Sequence, residues 1–221
     1  MGMTPWDGFD LFLVRHGQSH SNVERRLCAR PPGPGLTERG REQAERAATL
    51  LMRQVRAPVH VVTSPLLRAW QTADAFTRRL GGRAPAVLTE LRETSFGPWE
   101  GRTHAELLPQ AAYRAWAADP LAATPPGVEG VLEAGGRAHR ALTALASALP
   151  PAFSLVAFSH QHVIWGFVLL CGVDAAEAWF PNAAVVHARW RESDGGWQVL
   201  SVDRTATDGG VWQTAEALPQ A

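Results

Sequence analysis

The sequence contains no lysine: the 21 residues counted as Lys+Arg are all arginine. That excludes phosphate loops built around a lysine, Schiff-base chemistry and any mechanism that needs an ammonium side chain. Cysteine is scarce, with only Cys28 and Cys171. Their separation fits neither metal-ligand nor redox spacing, so a reducing compartment is expected. Net charge is absent as well, 21 acidic residues balancing the arginines. No electrostatic footprint therefore points to nucleic acid or to an anionic membrane as a partner. The longest apolar run, Val163 to Val173, is too short to span a bilayer and predicts a buried helix. "MGMTPWDGFD" lacks a basic region followed by an apolar one, so it does not read as a signal peptide. Trp6 stands where a myristoylation signal needs Ser or Thr. These absences together predict a soluble, cytoplasmic protein.

What is present is enough for a large core. The chain has 221 residues, 46% of them hydrophobic, and reads as one domain, with a core of about 10–204 and a C-terminal tail over 205–221. Apolar runs predict buried strands at 11–14, 59–63, 86–88 and 154–158. A helix is expected from a Thr37 cap, with Ala44, Ala47, Ala48, Leu51 and Val55 at helical spacing. Another is expected from a Ser64 cap, with Pro65 at its first position and Gly81-Gly82 ending it. Further helices are predicted over 103–117 and 129–148, and "VVHARW" and "WQVLSV" flank "RESDGG" as a β-hairpin. Strand–helix alternation predicts an α/β fold, a three-layer sandwich with a mostly parallel central sheet flanked by helices.

Ligands bind beyond the carboxyl ends of parallel strands. Arg15 and His16 follow the first strand, and Ser64 follows the second with Arg68 one helical turn on. Glu93 follows the third, and Ser159 and His160 follow the fourth. Each has an ordinary structural reading by itself, as a satisfied histidine, a surface arginine or a capping carboxylate. Their arrival together at one sheet edge is what points to a site. Two arginines suit a phosphate dianion, because each guanidinium offers a planar fork of donors. An imidazole among them is a nucleophile or a proton carrier. Metal ligation is disfavoured, since guanidinium charges repel a divalent cation.

These segments resemble the histidine phosphatase (phosphoglycerate mutase-like) superfamily. "VRHGQSHSN" resembles its Arg-His-Gly signature with Asn22 at the expected distance, and "LTERGREQA" its Leu-Thr-x-x-Gly helix start. "TSPLLRAWQTA", "LRETSFGPWEG" and "FSHQHVI" are similar to its Ser-x-x-x-Arg-Ala-x-Gln-Thr-Ala segment, its Glu-containing loop and its second histidine, and "PNAAVVHARW" to the approach to its last strands. The resemblance implies a phosphomonoester hydrolase. His16 would form a phosphohistidine, and Glu93 would protonate the leaving oxygen and later activate water. Arg15, Asn22, Arg68 and His160, with the backbone N–H of Gln161, would hold the phosphoryl oxygens. It implies a small phosphorylated substrate, with phosphate or sulfate able to occupy the pocket, and neither a metal nor an organic cofactor.

The sequence departs from that pattern in places. Gln161 and His162 stand where small glycines are usual, and Cys28-Ala29 replaces a residue followed by Gly. The usual Asp before "LT" is missing, and Val128 and Gly130 replace commoner Gly and Ser. His162 and His20 either face the pocket mouth or pack, and Cys28 either packs or makes activity thiol-sensitive. Arg25, Arg26, Arg30 and Arg102 meet a second anionic group or are solvated charge; Trp99 and Trp116 line the mouth or belong to a core. Mutase members carry a lysine and an Arg-Arg pair after the Glu loop, both absent here, so hydrolysis is favoured over phosphoryl transfer between substrates. A non-catalytic phospho-ligand binding protein is the remaining alternative; loss of His16 or Glu93 would mark it, and both are present.

Overall fold

The computed structural model describes residues 9–149, 153–174, 180–191 and 195–207. Residues 1–8, residues 192–194 where the turn of the hairpin is expected, and the tail from 208 lie outside the described residues.

The first strand, β1 (Asp10–Arg15), shows why an uninterrupted apolar run belongs in the middle of the sheet. Leu11 and Leu13 enter one hydrophobic cluster while Phe12 and Val14 enter another on the opposite face. Alternate side chains point to opposite sides, so a strand covered on both faces must be apolar throughout. β4 (Ser154–Ser159) repeats the pattern, Leu155 and Ala157 on one side and Val156 and Phe158 on the other. With β2 (Val59–Thr63), β3 (Ala86–Val87), β5 (Val185–Arg191) and β6 (Gly196–Asp203), the sheet runs β3-β2-β4-β1-β5-β6. The first four in that order are parallel, and β5 and β6 run antiparallel as the expected hairpin.

Helices cover both faces, so the expected α/β sandwich is the observed one. α1 (His20–Val23) is a single turn after β1. α2 (Glu38–Gln54) begins as expected, the Thr37 hydroxyl accepting from the Gly40 N–H at 3.0 Å, and buries Ala44, Ala47, Ala48 and Leu51. α3 (Leu67–Arg79) starts later than expected, with Leu66 rather than Ser64 as its cap. The reason is that Leu67 N–H is taken by the Pro32 carbonyl at 2.7 Å, while the Ser64 hydroxyl accepts from Leu66 N–H at 3.2 Å and leaves the chain in a turn. The single helix expected over 103–117 is two, α4 (His104–Leu107) and α5 (Ala111–Ala118), divided at Pro109, which cannot continue the first. α6 (Val131–Ala148) and α7 (Gln161–Leu170) cover the other face.

α6 and α7 cross where Gly135 and Gly166 meet: a Cβ on either would collide with the other helix's backbone. Phe96, Trp99, Tyr113 and Trp116, with Leu27 and Leu107, form a third, separate cluster. Both tryptophans singled out in the sequence are therefore buried. Thr205–Thr207, expected to begin the tail, close the core instead: Ala206 is buried and its carbonyl accepts from Arg46 at 3.2 Å. Among the described residues no helix is long and apolar enough to cross a membrane.

Candidate active site

Parallel pairing of β1 with β4 sets Arg15 opposite Ser159, so the next residue of each strand, His16 and His160, must emerge side by side. His16 N–H donates to the Ser159 carbonyl at 3.1 Å, and the two imidazoles lie 5.0 Å apart, tilted by 57°. β2 pairs β4 on its other edge, which brings Ser64 alongside: its hydroxyl is 2.7 Å from His160 Nε2.

His16 Nδ1 donates to the Gly17 carbonyl at 2.7 Å, which fixes the tautomer with a lone pair on Nε2. Arg68, in the first turn of α3, donates Nε–H to that Nε2 at 3.0 Å and Nη2–H to the Cys28 carbonyl at 2.9 Å. Burial, then the Arg68 and Arg15 charges, hold the His16 pKa well below its ordinary value, so the ring is neutral. Burial, then Arg68 with smaller contributions from His16, Arg137 and Arg15, likewise holds the His160 pKa well below its ordinary value. Burial brings Arg15 down to about 10, still protonated at neutral pH, and its Nη1 donates to the Phe180 carbonyl at 2.5 Å.

The Arg-His-Gly turn is held from behind. Gly17 N–H donates to Thr72 Oγ1 at 3.1 Å, and Gln18 N–H to Gln43 Oε1 at 2.8 Å. Cβ atoms at Gly17 or Gly40 would overlap the backbone oxygen of Gly40 or Gln18 respectively, so this approach of loop to α2 requires glycine on both sides.

Glu93 reaches the site after β3 and a short 3₁₀ turn over Thr89–Leu91, which Ser159 Oγ ties down by donating to the Leu91 carbonyl at 2.9 Å. Its carboxylate accepts from Thr94 N–H at 2.9 Å and lies 3.6 Å from His162 Nδ1. Burial pushes its pKa up, but His162, Arg68 and the Thr94 N–H together outweigh burial and hold it below the ordinary carboxylate range. Arg137 on α6 donates to the carbonyls of Glu90 and Glu93 and pairs with Glu129 at 2.7 Å, so this loop is anchored from outside the site.

Asn22 sits in a reciprocal cap at α1, its Oδ1 accepting from Ser19 N–H at 3.0 Å and from Asn182 Nδ2 at 3.3 Å. With its oxygen so engaged, the Nδ2 donor is the end available to an anion. Asn182 also donates to the His16 carbonyl at 3.0 Å. The sequence reading missed it, although "PN" just before the β5 run was its only signal. Thr72, Thr94 and Arg137 were missed too, each acting through backbone atoms that leave no pattern in sequence.

Gln161 opens α7 without positive φ, which among described non-glycine residues occurs at Arg25 and Ala183, so its N–H keeps the helix N-terminal position. His20 is exposed and joins nothing at the site. His162 packs within the aromatic cluster yet faces Glu93. Burial raises the pKa of the half-buried Cys28 thiol. Arg26 pairs with Glu24 at 2.8 Å and donates to the Gly101 carbonyl at 2.6 Å; Arg25, Arg30 and Arg102 are exposed. Arg68 Nη1 and His160 Nδ1 are buried without a hydrogen-bond partner among the described residues, a costly state that an anion accepting from both relieves. Among the described residues no group of three His, Cys, Asp or Glu gathers as a metal site would require.

Known proteins carry the same architecture. The family model for the histidine phosphatase superfamily (branch 1) matches residues 11–205. The adenosylcobalamin/alpha-ribazole phosphatase of Salmonella typhimurium is 34% identical over 197 residues, 87% of this chain and 90% of that one. The glucosyl-3-phosphoglycerate phosphatase of Mycobacterium tuberculosis is 37% identical over 142 residues, 63% of this chain; the match spans 61% of that relative's length. A solved mycobacterial glucosyl-3-phosphoglycerate phosphatase, in complex with VO3, superposes with a TM-score of 0.73 at 30% identity, covering 87% of this chain and 97% of that one.

Proposed function

Given that this chain belongs to the histidine phosphatase superfamily (branch 1), we propose that it hydrolyses phosphomonoesters without a metal, through a phosphohistidine on His16. The reading rests on one observation above others: two neutral, buried imidazoles 5.0 Å apart, with a buried guanidinium on the nucleophilic nitrogen of one of them.

A phosphate entering beside His16 takes up the Arg68 and His160 donors, with Arg15, Asn22 Nδ2 and the Gln161 N–H completing the cradle. Arg68 turns from the His16 lone pair to a phosphoryl oxygen, which frees Nε2 to attack phosphorus in line. Charge that develops on the phosphoryl oxygens meets donors already in place, the largest contribution in this class of reaction. Glu93 gives its proton to the leaving oxygen and then takes one from the water that cleaves the phosphohistidine. One domain, its core reaching Ala206, carries the reaction in the cytoplasm.

The substrate is a small phosphorylated molecule. Phosphorylated alpha-ribazole and glucosyl-3-phosphoglycerate, named for relatives, are the first compounds to try. The decisive experiment incubates purified protein with nitrophenyl phosphate in excess chelator and traps the phosphoenzyme for peptide mapping. Nitrophenol release with phosphate on His16 is expected. Loss of activity in chelator, or phosphate on another residue, overturns the reading.

A further inference from the structure

His162, two residues beyond His160, is used by nothing in the reaction described so far. Its ring lies among Phe96, Trp116 and Trp165, with centroids 6.0, 5.6 and 6.3 Å away. Its side chain is 16% exposed, and Nδ1 has no hydrogen-bond partner among the described residues. That nitrogen lies 3.6 Å from Glu93 Oε1, so a small rotation of either side chain makes a hydrogen bond. A phenylalanine would fill the same aromatic cage; of the two, histidine alone puts a nitrogen against the carboxylate.

Resting on the phosphatase reading above, we propose that His162 is a positioning residue for Glu93. Its Nδ1–H orients the carboxylate and stores the proton that Glu93 delivers. In the first half-reaction the P–O bond breaks with its electron pair going to the leaving oxygen. Glu93 relays the Nδ1 proton to that oxygen, which leaves Glu93 as the carboxylate and His162 as the neutral imidazole, so the pair is one proton poorer. In the second half-reaction water attacks phosphorus, the P–N bond electrons return to His16, and the water proton passes through Glu93 back to Nδ1. The pair ends as it began.

The other charges facing this pair are Arg68 on α3, Arg15 at the end of β1, His104 on α4 and Arg137 on α6.

The test compares the parent with His162→Phe, which keeps the cage, and His162→Asn, which keeps a donor near the Nδ1 position but cannot titrate. kcat/KM is measured against pH for an alkyl phosphate and for nitrophenyl phosphate. His162→Phe should lose about tenfold or more on the alkyl phosphate, part of the roughly 10²–10⁴-fold supplied by general acid catalysis, and little on the aryl one. In both variants the basic limb for the alkyl phosphate should move to lower pH by roughly one to two units, because the proton then leaves with a carboxyl rather than an imidazole. Equal losses on both substrates, or an unmoved basic limb, overturn the proposal. Should His162→Phe fail to fold, the limb of His162→Asn decides. A parent that releases no phosphate from either ester overturns the phosphatase reading instead, and this inference with it.

Discussion

Arg68 Nε donates to His16 Nε2 at 3.0 Å, so a guanidinium occupies the lone pair of that imidazole. The contact protects a neutral imidazole from protonation, and the proposed reaction requires that it be exchanged for a phosphoryl oxygen. Two consequences are measurable. Arg68→Ala should lower kcat/KM by roughly 10²–10³-fold, the usual effect of deleting one preorganised donor. Because the Arg68 charge depresses the His16 pKa, its removal should also move the acid limb of the profile to higher pH. An acid limb that stays in place would separate Arg68 from His16.

Glu93→Gln tests the leaving-group role. An alkoxide needs a proton and a nitrophenolate needs little, so the alkyl phosphate should lose roughly 10²-fold or more relative to the aryl ester. Equal losses would take Glu93 out of the acid role.

His16→Ala should abolish phosphoenzyme formation while the chain still folds, since the turn is held through Gly17 N–H, the His16 backbone and Asn182 rather than by the ring alone. Turnover near the parental rate, in a protein with a parental thermal midpoint, would exclude His16 as nucleophile.

Stability should depend on pH through the same imidazoles. His16 and His160 are held neutral by burial, below their unfolded value of about 6.5. Below about pH 6.5 the unfolded chain takes up protons that the folded one refuses, so unfolding becomes easier as pH falls. The thermal midpoint should drop from pH 7 to pH 5, a range above the ordinary carboxylate titrations. His160→Gln, which retains a partner for Ser64, should reduce that slope. A slope identical in parent and variant would contradict the assignment.

Gly40→Ala probes the support of the signature turn. Its Cβ would overlap the Gln18 carbonyl, and backbone cannot yield as a side-chain tip does. A loss of about 1–3 kcal/mol in denaturant unfolding is expected, the usual effect of overpacking. Activity should fall with it, since the displaced residues lead from His16. Parental unfolding and turnover would mean the loop has room to move.

The sheet was legible because its central strands carry uninterrupted apolar runs, and the site was legible because four of those strands end in groups that suit one ligand. His16, Arg68, Glu93 and His160 could be placed together from topology alone. The start of α3 was misread because Ser64 serves His160 and Leu66 rather than capping a helix, a tertiary demand that local capping rules do not encode. Asn182 lies 166 positions from the residue it supports, and its contact is to a backbone carbonyl. Arg137 likewise speaks to backbone atoms of the Glu93 loop. Such links leave no periodicity or spacing behind.

The meeting of Gly135 with Gly166 has a reach beyond the α6–α7 interface. Arg137, two residues along α6, fastens the Glu93 loop, while Gly135 seats the helix that bears His162. Acid and imidazole thus hang from a common beam, and one turn of it governs the gap between them. An axial slip of even a single residue, about 1.5 Å, would part the two groups. The spot where this enzyme can be detuned without touching a single group at the phosphate is therefore the buried crossing of the two helices.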